Sequence, residues 1–193
     1  MADLLVLASA SPRRAHILRA LGVDFRAVVS GADERLEPGE DAGAAAERLA
    51  RLKAASVARV EPPPILGADT VVVCEGRILG KPASPDDARE MLRLLSGRTH
   101  EVVTGLCLIA SAATLSGIER SAVTFARMSG EEIDWYVSTG EPMDKAGAYH
   151  IDGRGALFVS GIAGSPSNVA GLPVPLFRRL VHEAGLDVAL PRR

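Results

Sequence analysis

Aromatic residues are scarce in this chain, making up 4% of its 193 residues with a single tryptophan. A surface that stacks unpaired bases needs such rings, so a nucleic-acid polymer is a poor partner. Basic excess is missing too. Lys and Arg total 22 against 24 Asp and Glu, a net charge of −2, and no general cationic field draws in a polyanion. No apolar run approaches the ~20 residues of a membrane-spanning helix. The two cysteines, Cys74 and Cys107, lie far apart, each inside an apolar, strand-like run. They read as buried free thiols of a reducing compartment, not as a disulfide framework or a metal site. The four histidines are not paired at metal-ligand spacing. A Gly-rich P-loop, a cysteine-nucleophile motif and a serine elbow are all missing. Asp3 precedes the first apolar patch, and neither a basic region nor a cleavage site marks a signal peptide. A soluble, cytoplasmic protein is the expectation.

Nearly half of the residues are apolar (47%), enough for a sizeable core. Leu4–Leu7 is an unbroken apolar run, too short for a helix, and reads as a buried strand. A helix follows to Leu21, with Ile17, Leu18 and Leu21 on one stripe and Gly22 as its stop. Phe25–Ser30 is a second strand, 31–43 a polar loop, and Ala44–Val60 an alanine-rich helix ended by Pro62-Pro63-Pro64. Ile65–Val73 is a strand, and Glu75-Gly76 turns it into Arg77–Leu79. Ser84-Pro85-Asp86-Asp87 caps a helix that runs to Gly97. His100–Ala110 and Ile118–Arg127 form an antiparallel strand pair, and Ser129-Gly130-Glu131-Glu132 is a capping box for a helix that Gly140 ends. Leu176–Ala184 is the last helix. Strands and helices interleave with hairpins among them, which predicts an α/β fold with a mixed sheet and flanking helices. With no repeat and no low-complexity linker, residues 1–193 read as one domain.

Chemistry concentrates first at Ser9-Ala10-Ser11-Pro12-Arg13-Arg14. Ser11 stands at an N-cap position and Pro12 at the first helical position, so Arg13 and Arg14 fall in the first turn. That end of a helix already carries partial positive charge, and cations sit there most readily with an anion between them. Free N–H groups, two serines and two guanidiniums at the end of a strand suit a phosphate, although paired arginines in a first turn are also ordinary solvated surface. Asp69 interrupts the apolar run Ile65–Val73. A carboxylate there needs a cation, a cluster of donors or the wall of a cleft, and a structural Asp bonded to backbone N–H groups is the plain alternative. Lys53 lies on the alanine-rich helix, either as a functional cation or as a stem reaching out to water. Glu34, in a polar loop, and Lys81, in the turn Gly80-Lys81-Pro82, read by themselves as solvated charges. The glycines around Tyr149 and Asp152 fit either a ligand loop or a plain one.

Ser9–Arg14 resembles the signature of the Maf family of nucleoside triphosphate pyrophosphatases, also called septum formation inhibitors. Five further blocks follow in family order: Gly67–Val72, Gly80-Lys81-Pro82, Leu95–Val102, Lys145–Tyr149 and Asn168–Pro173. The resemblance implies an inosine triphosphate pyrophosphatase-like fold, an α/β body with a mixed twisted sheet and a cleft between two lobes. It implies hydrolysis of a nucleoside triphosphate to the monophosphate and pyrophosphate. Asp69 matches the family's proton acceptor, and Glu34 an acidic position near the metal. Catalytic roles would then fall to Asp69, Glu34 and Lys81. Ser9, Ser11, Arg13, Arg14 and Lys53 would hold phosphates, and Thr70, Tyr149 and Asp152 would face the base. Glu34 and Asp69 would share Mg²⁺ or Mn²⁺, which takes one or two carboxylates beside waters and phosphate oxygens.

Arg13 and Thr70 match the dTTP/UTP-hydrolysing subfamily, which extends to modified pyrimidine nucleotides. The chain departs from the family twice, with His16 where Glu is usual and Asp152 where the dTTP/UTP type carries Gln and the 7-methyl-GTP type Glu. A 7-methyl-GTP/CTP-preferring enzyme is the runner-up. A nucleotide-binding regulator of septum formation with little turnover is the competing class. The expected partner is the nucleotide, with a homodimer the one self-association in view.

Overall fold

The computed structural model describes residues 4–37 and 39–188. In chain order its elements are β1 (Leu5–Ala8), α1 (Pro12–Ala20), β2 (Phe25–Ala27), α2 (Ala42–Val57), β3 (Ile65–Cys74), β4 (Arg77–Leu79), α3 (Pro85–Leu95), β5 (Thr99–Ile109), β6 (Thr114–Phe125), α4 (Gly130–Ser138), β7 (Val159–Ala163), α5 (Pro166–Val169) and α6 (Val174–Glu183). The sheet has the order β2-β1-β3-β5-β6-β7, with β4 beside β3. Strand β1 runs parallel to β2 and β3, whereas β4 is antiparallel to β3 and β7 to β6. The mixed α/β sheet with flanking helices is therefore present.

Local signals place most elements. Ser84 Oγ accepts the Asp87 N–H, and Asp87 in turn accepts the Ala83 N–H. Ser129 and Glu132 form the reciprocal capping box that opens α4. Glu75 (φ +50°) and Gly76 (φ +74°) make the two-residue turn into β4. Several boundaries differ from the sequence reading. Helix α2 starts at Ala42 because Asp41 caps it, accepting the Gly43 and Ala44 N–H groups. Strand β2 stops at Ala27, and β6 begins at Thr114 instead of Ile118. The pattern also misses β7, which pairs with β6 through Ala122↔Ala163 and Val123↔Ile162 although its own residues are mostly exposed.

The chain divides into two compact units. The first holds residues up to Asp69, Thr104–Glu119 and the segment from Gly171 on. One face of its strands, Leu5, Leu7, Leu66 and Ala68, packs against Leu18 of α1 and Phe177 and Leu180 of α6. The other face, Val6, Ala8 and Ile65, packs against Ala50, Ala54 and Val57 of α2. Alternation along β3 puts Ile65, Gly67 and Asp69 together on the α2 side. The second unit holds Thr70–Val103 and Arg120–Ala170, around a core of Leu92, Val102, Phe125, Tyr136 and Tyr149.

Helix α2 lies unusually close to its strands. A Cβ at Gly67 would stand 2.1 Å from the Ala50 carbonyl oxygen and 2.8 Å from the Ala54 nitrogen. At Gly105 it would stand 2.3 Å from the Ala46 carbonyl oxygen. These neighbours are backbone and cannot swing aside. Gly67→Ala should therefore destabilise the protein by about 1–3 kcal/mol or more, read from chemical denaturation. An unchanged midpoint would mean that α2 is free to back away.

Candidate active site

The register Ala8↔Gly67 puts Asp69 just beyond the end of β1, where the chain turns through Ser9 into α1. Ligands of parallel α/β sheets gather at such strand ends. Asp69 is 8% exposed and Lys53, on α2, only 5%. Lys53 Nζ lies 2.6 Å from Asp69 Oδ1 and 2.9 Å from Glu34 Oε2. The ammonium does not reach out to water as an amphipathic stem would. It is buried between two carboxylates.

The geometry follows from the packing. Gly67 lets α2 sit on β3, and Lys53, one turn beyond Ala50, then falls level with Asp69, two residues beyond Gly67 on the same strand face. Glu34 arrives on a loop that α2 holds at both ends. Ser56 Oγ donates to the Ser30 carbonyl oxygen. Arg48 donates to the Arg35 carbonyl oxygen at 3.2 Å and to Glu40 at 2.7 Å. Asp33 turns the other way, to Arg35 in the solvent.

Arg14 is the second buried cation. Its Nε donates to the Gly171 carbonyl oxygen at 2.8 Å and its Nη1 to Ser9 Oγ at 3.0 Å. Burial pushes the guanidinium's pKa down; the charge of Asp69 opposes this, Arg13 adds to it, and Glu34 opposes it. Ser11 occupies the N-cap position, but its side chain makes no capping bond; Ser9 Oγ instead accepts the Ser11 N–H at 3.2 Å. Arg13 is half-buried in the first turn, and His16 is exposed on α1. The first unit thus brings together Ser9, Arg14, Glu34, Lys53 and Asp69. Two cations and two carboxylates balance there in net charge.

The remaining sequence candidates belong to the second unit. Thr70 is half-buried on β3, Lys81 is exposed in its turn after β4, and Asp152 is exposed between the short turns of 146–158. Tyr149 is 4% exposed, and its hydroxyl lies 3.0 Å from His100 Nε2. Phe125 packs edge-on against both rings. His100 escaped notice in the sequence because a lone His in a β-branched strand carries no pattern. Burial lowers its pKa to about 4, so it is neutral at pH 7, and its Nδ1 has no hydrogen-bond partner. Among the described residues no group of three or more His, Cys, Asp or Glu gathers as a metal cluster. Glu34 and Asp69 converge on Lys53, whose ammonium is buried. Two hard oxygen donors suit Mg²⁺ or Mn²⁺, provided substrate oxygens and waters fill the other positions.

The Maf-like protein family matches residues 4–184. The chain belongs to that family. It is 49% identical over 190 residues to the dTTP/UTP pyrophosphatase of Anaeromyxobacter sp. (strain Fw109-5), covering 96% of this chain and 91% of the relative. It is likewise 49% identical over 187 residues to the dTTP/UTP pyrophosphatase of Moorella thermoacetica, covering 95% and 96%. The Staphylococcus aureus Ham1 protein shares the fold, with a TM-score of 0.53 at 14% identity over 94% of this chain and 99% of that one. No helix of the described residues is long and apolar enough to cross a membrane.

His100 makes this Maf-like protein's stability depend on pH. Unfolded, its imidazole takes up a proton near pH 6.5; folded, only near 4. Between these values the unfolded state binds more protons, so stability falls as pH drops through the window, by about 3 kcal/mol. His100→Gln, which keeps an amide beside the Tyr149 hydroxyl, should lose that much less between pH 7 and pH 4 in urea titrations. Parallel curves for the two proteins would overturn the assignment.

Proposed function

We propose that this protein is a nucleoside triphosphate pyrophosphatase that cleaves dTTP and UTP, modified pyrimidine nucleotides included, to the monophosphate and pyrophosphate. The observation that carries the reading is the buried Asp69–Lys53 pair, joined by the exposed Glu34, at the strand ends beside Arg14. Full-length relatives named dTTP/UTP pyrophosphatase support the substrate class.

The roles follow from charge and position. Ser9, Ser11, Arg13, Arg14 and Lys53 bind the triphosphate, and Lys81 is a further point charge for phosphate oxygens. Asp69 accepts the proton of the attacking water, and its partial burial and single ammonium partner keep a carboxylate oxygen available for that transfer. Water attacks the α-phosphorus, the bond to the bridging oxygen breaks, and pyrophosphate leaves without a covalent enzyme intermediate. A divalent ion held by Glu34 and Asp69 would neutralise phosphate charge and lower the pKa of a bound water. Thr70, Tyr149 and Asp152 serve the base.

Purified protein should release pyrophosphate from UTP and dTTP with Mg²⁺ or Mn²⁺ and lose activity in EDTA. Orthophosphate as the first product would refute the reaction class. Asp69→Asn should lower kcat on the order of 10²–10⁴-fold while nucleotide still binds, because Lys53 keeps Glu34 as its partner. Near wild-type kcat would return Asp69 to a structural role. Arg13→Ala and Lys81→Ala should weaken nucleotide binding as well, since they meet charge already present in the ground state.

Asp152 sets the base preference. Ionised, it accepts the N3–H of uracil or thymine but offers no donor to the neighbouring carbonyl, and it also accepts from the amine of CTP. Some CTP turnover is expected. Asp152→Gln should raise the kcat/KM ratio of UTP over CTP, by roughly the 0.5–1.5 kcal/mol of one hydrogen bond. An unmoved ratio under one metal concentration would show that Asp152 does not face the base.

A further inference from the structure

Asp152 stands exposed in a turn flanked by no long helix or strand, a poor mount for a residue that must meet one base edge. The turn closes through the Gly153 N–H to the His150 carbonyl oxygen at 3.2 Å, and one carboxylate ties it to α4. Glu141 begins the 3-10 turn Glu141–Asp144, directly after Gly140 at φ +75°. Its Oε1 accepts the Tyr136 hydroxyl at 2.8 Å and the Gly155 N–H at 3.1 Å, and its Oε2 accepts the Arg154 N–H at 3.2 Å. The Tyr136 oxygen accepts the His150 N–H at 3.0 Å. The turn is thus tied before Asp152, at His150, and after it, at Arg154 and Gly155.

Tyr136 is fully buried on α4. Gly153, at the N-cap of the 3-10 turn Arg154–Phe158, has no side chain with which to cap it, and Glu141 reaches in from outside to do so. The glycines make room for this. A Cβ at Gly153 would lie 2.7 Å from Glu141 Oε2, and one at Gly155 would lie 2.7 Å from the Tyr136 hydroxyl. Burial alone would raise the Glu141 pKa, but the Tyr136 hydroxyl and the two N–H groups outweigh it and hold the acid ionised.

We propose that Glu141, through Tyr136 and the N–H groups of residues 150–155, is a positioning residue for base selection that holds Asp152 in one orientation. The inference rests on the reading of Asp152 as the base-facing residue. It is tested by steady-state kinetics with UTP and CTP on the wild type, Glu141→Gln, Tyr136→Phe, Asp152→Ala and the two double variants that include Asp152→Ala. Glu141→Gln should raise the KM for UTP roughly tenfold, the size of one charge-assisted hydrogen bond, lower kcat less than about threefold, and shift the UTP-to-CTP ratio. In the Asp152→Ala background the same substitution should add nothing further to KM.

Tyr136→Phe removes the hydroxyl while keeping the ring packed, so it gives the same reading should Glu141→Gln fold poorly. Equal fold-changes with and without Asp152 would overturn the positioning role, because a merely structural clamp acts regardless of that side chain. So would an unmoved KM in both single variants alongside a changed one in Asp152→Ala, an outcome that leaves the reading of Asp152 standing. Wild-type KM and ratio in Asp152→Ala would instead remove that reading, and this one with it.

Discussion

Lys53 places an ammonium in a buried face of α2 that is otherwise apolar, and the architecture around it is the provision of partners for that group. An ammonium buried without a counter-ion costs several kcal/mol. Asp69 meets it because Gly67 allows helix and strand to approach until the Ala50 backbone touches the sheet. Glu34 meets it because Arg48 and Ser56, on the same helix, hold the loop that brings it. Arg14 adds a second buried cation and is steadied by Ser9 and the Gly171 carbonyl. Each of these contacts depends on where α2 and the ends of β1 and β3 lie.

Such a cluster is a poor way to gain stability. A buried ion pair is often matched or bettered by apolar residues of similar volume, so its presence at the ends of parallel strands calls for a chemical reason. Phosphoryl transfer supplies one. It needs cations for a polyanion, carboxylates for a divalent ion and a proton acceptor, held in place beforehand, since positioning and electrostatics do most of the work. With two cations and two carboxylates in near balance, a triphosphate arriving with a divalent ion, as proposed here, would bring opposite charges in together.

The second unit solves a different problem with neutral groups. Tyr149, His100 and Phe125 form a packed aromatic triangle in which the imidazole stays uncharged because burial disfavours its cation. Tyr136 and Glu141 secure a glycine-rich turn that is otherwise closed by its own backbone hydrogen bonds. Rigidity comes here from side chain to backbone hydrogen bonds that span up to 14 residues, and not from a ladder.

What the sequence by itself determined is what depends on neighbours within a few residues. The caps at Ser84 and Ser129, the Glu75-Gly76 turn and the apolar runs of β1, β3 and β5 were all legible, as was the oddity of Asp69 within an apolar strand. The family resemblance pointed to Ser9, Ser11, Arg13, Arg14, Glu34, Lys53, Asp69 and Lys81 as one group around the phosphates. Only tertiary structure decided the rest. Strand β7 exists because β6 offers it hydrogen bonds, for its own residues are mostly exposed and Gly161 interrupts them. Ser11 stands at the N-cap without a capping bond from its side chain, and its own N–H donates to Ser9 Oγ. Lys53 became a buried partner, not a solvated stem, because a glycine 14 residues further on let the helix close on the strand. Glu141 carries no signal in its own neighbourhood of the sequence, and its partners Tyr136, Arg154 and Gly155 come from packing. A side chain's partners across the chain are set by packing distances that no local pattern encodes.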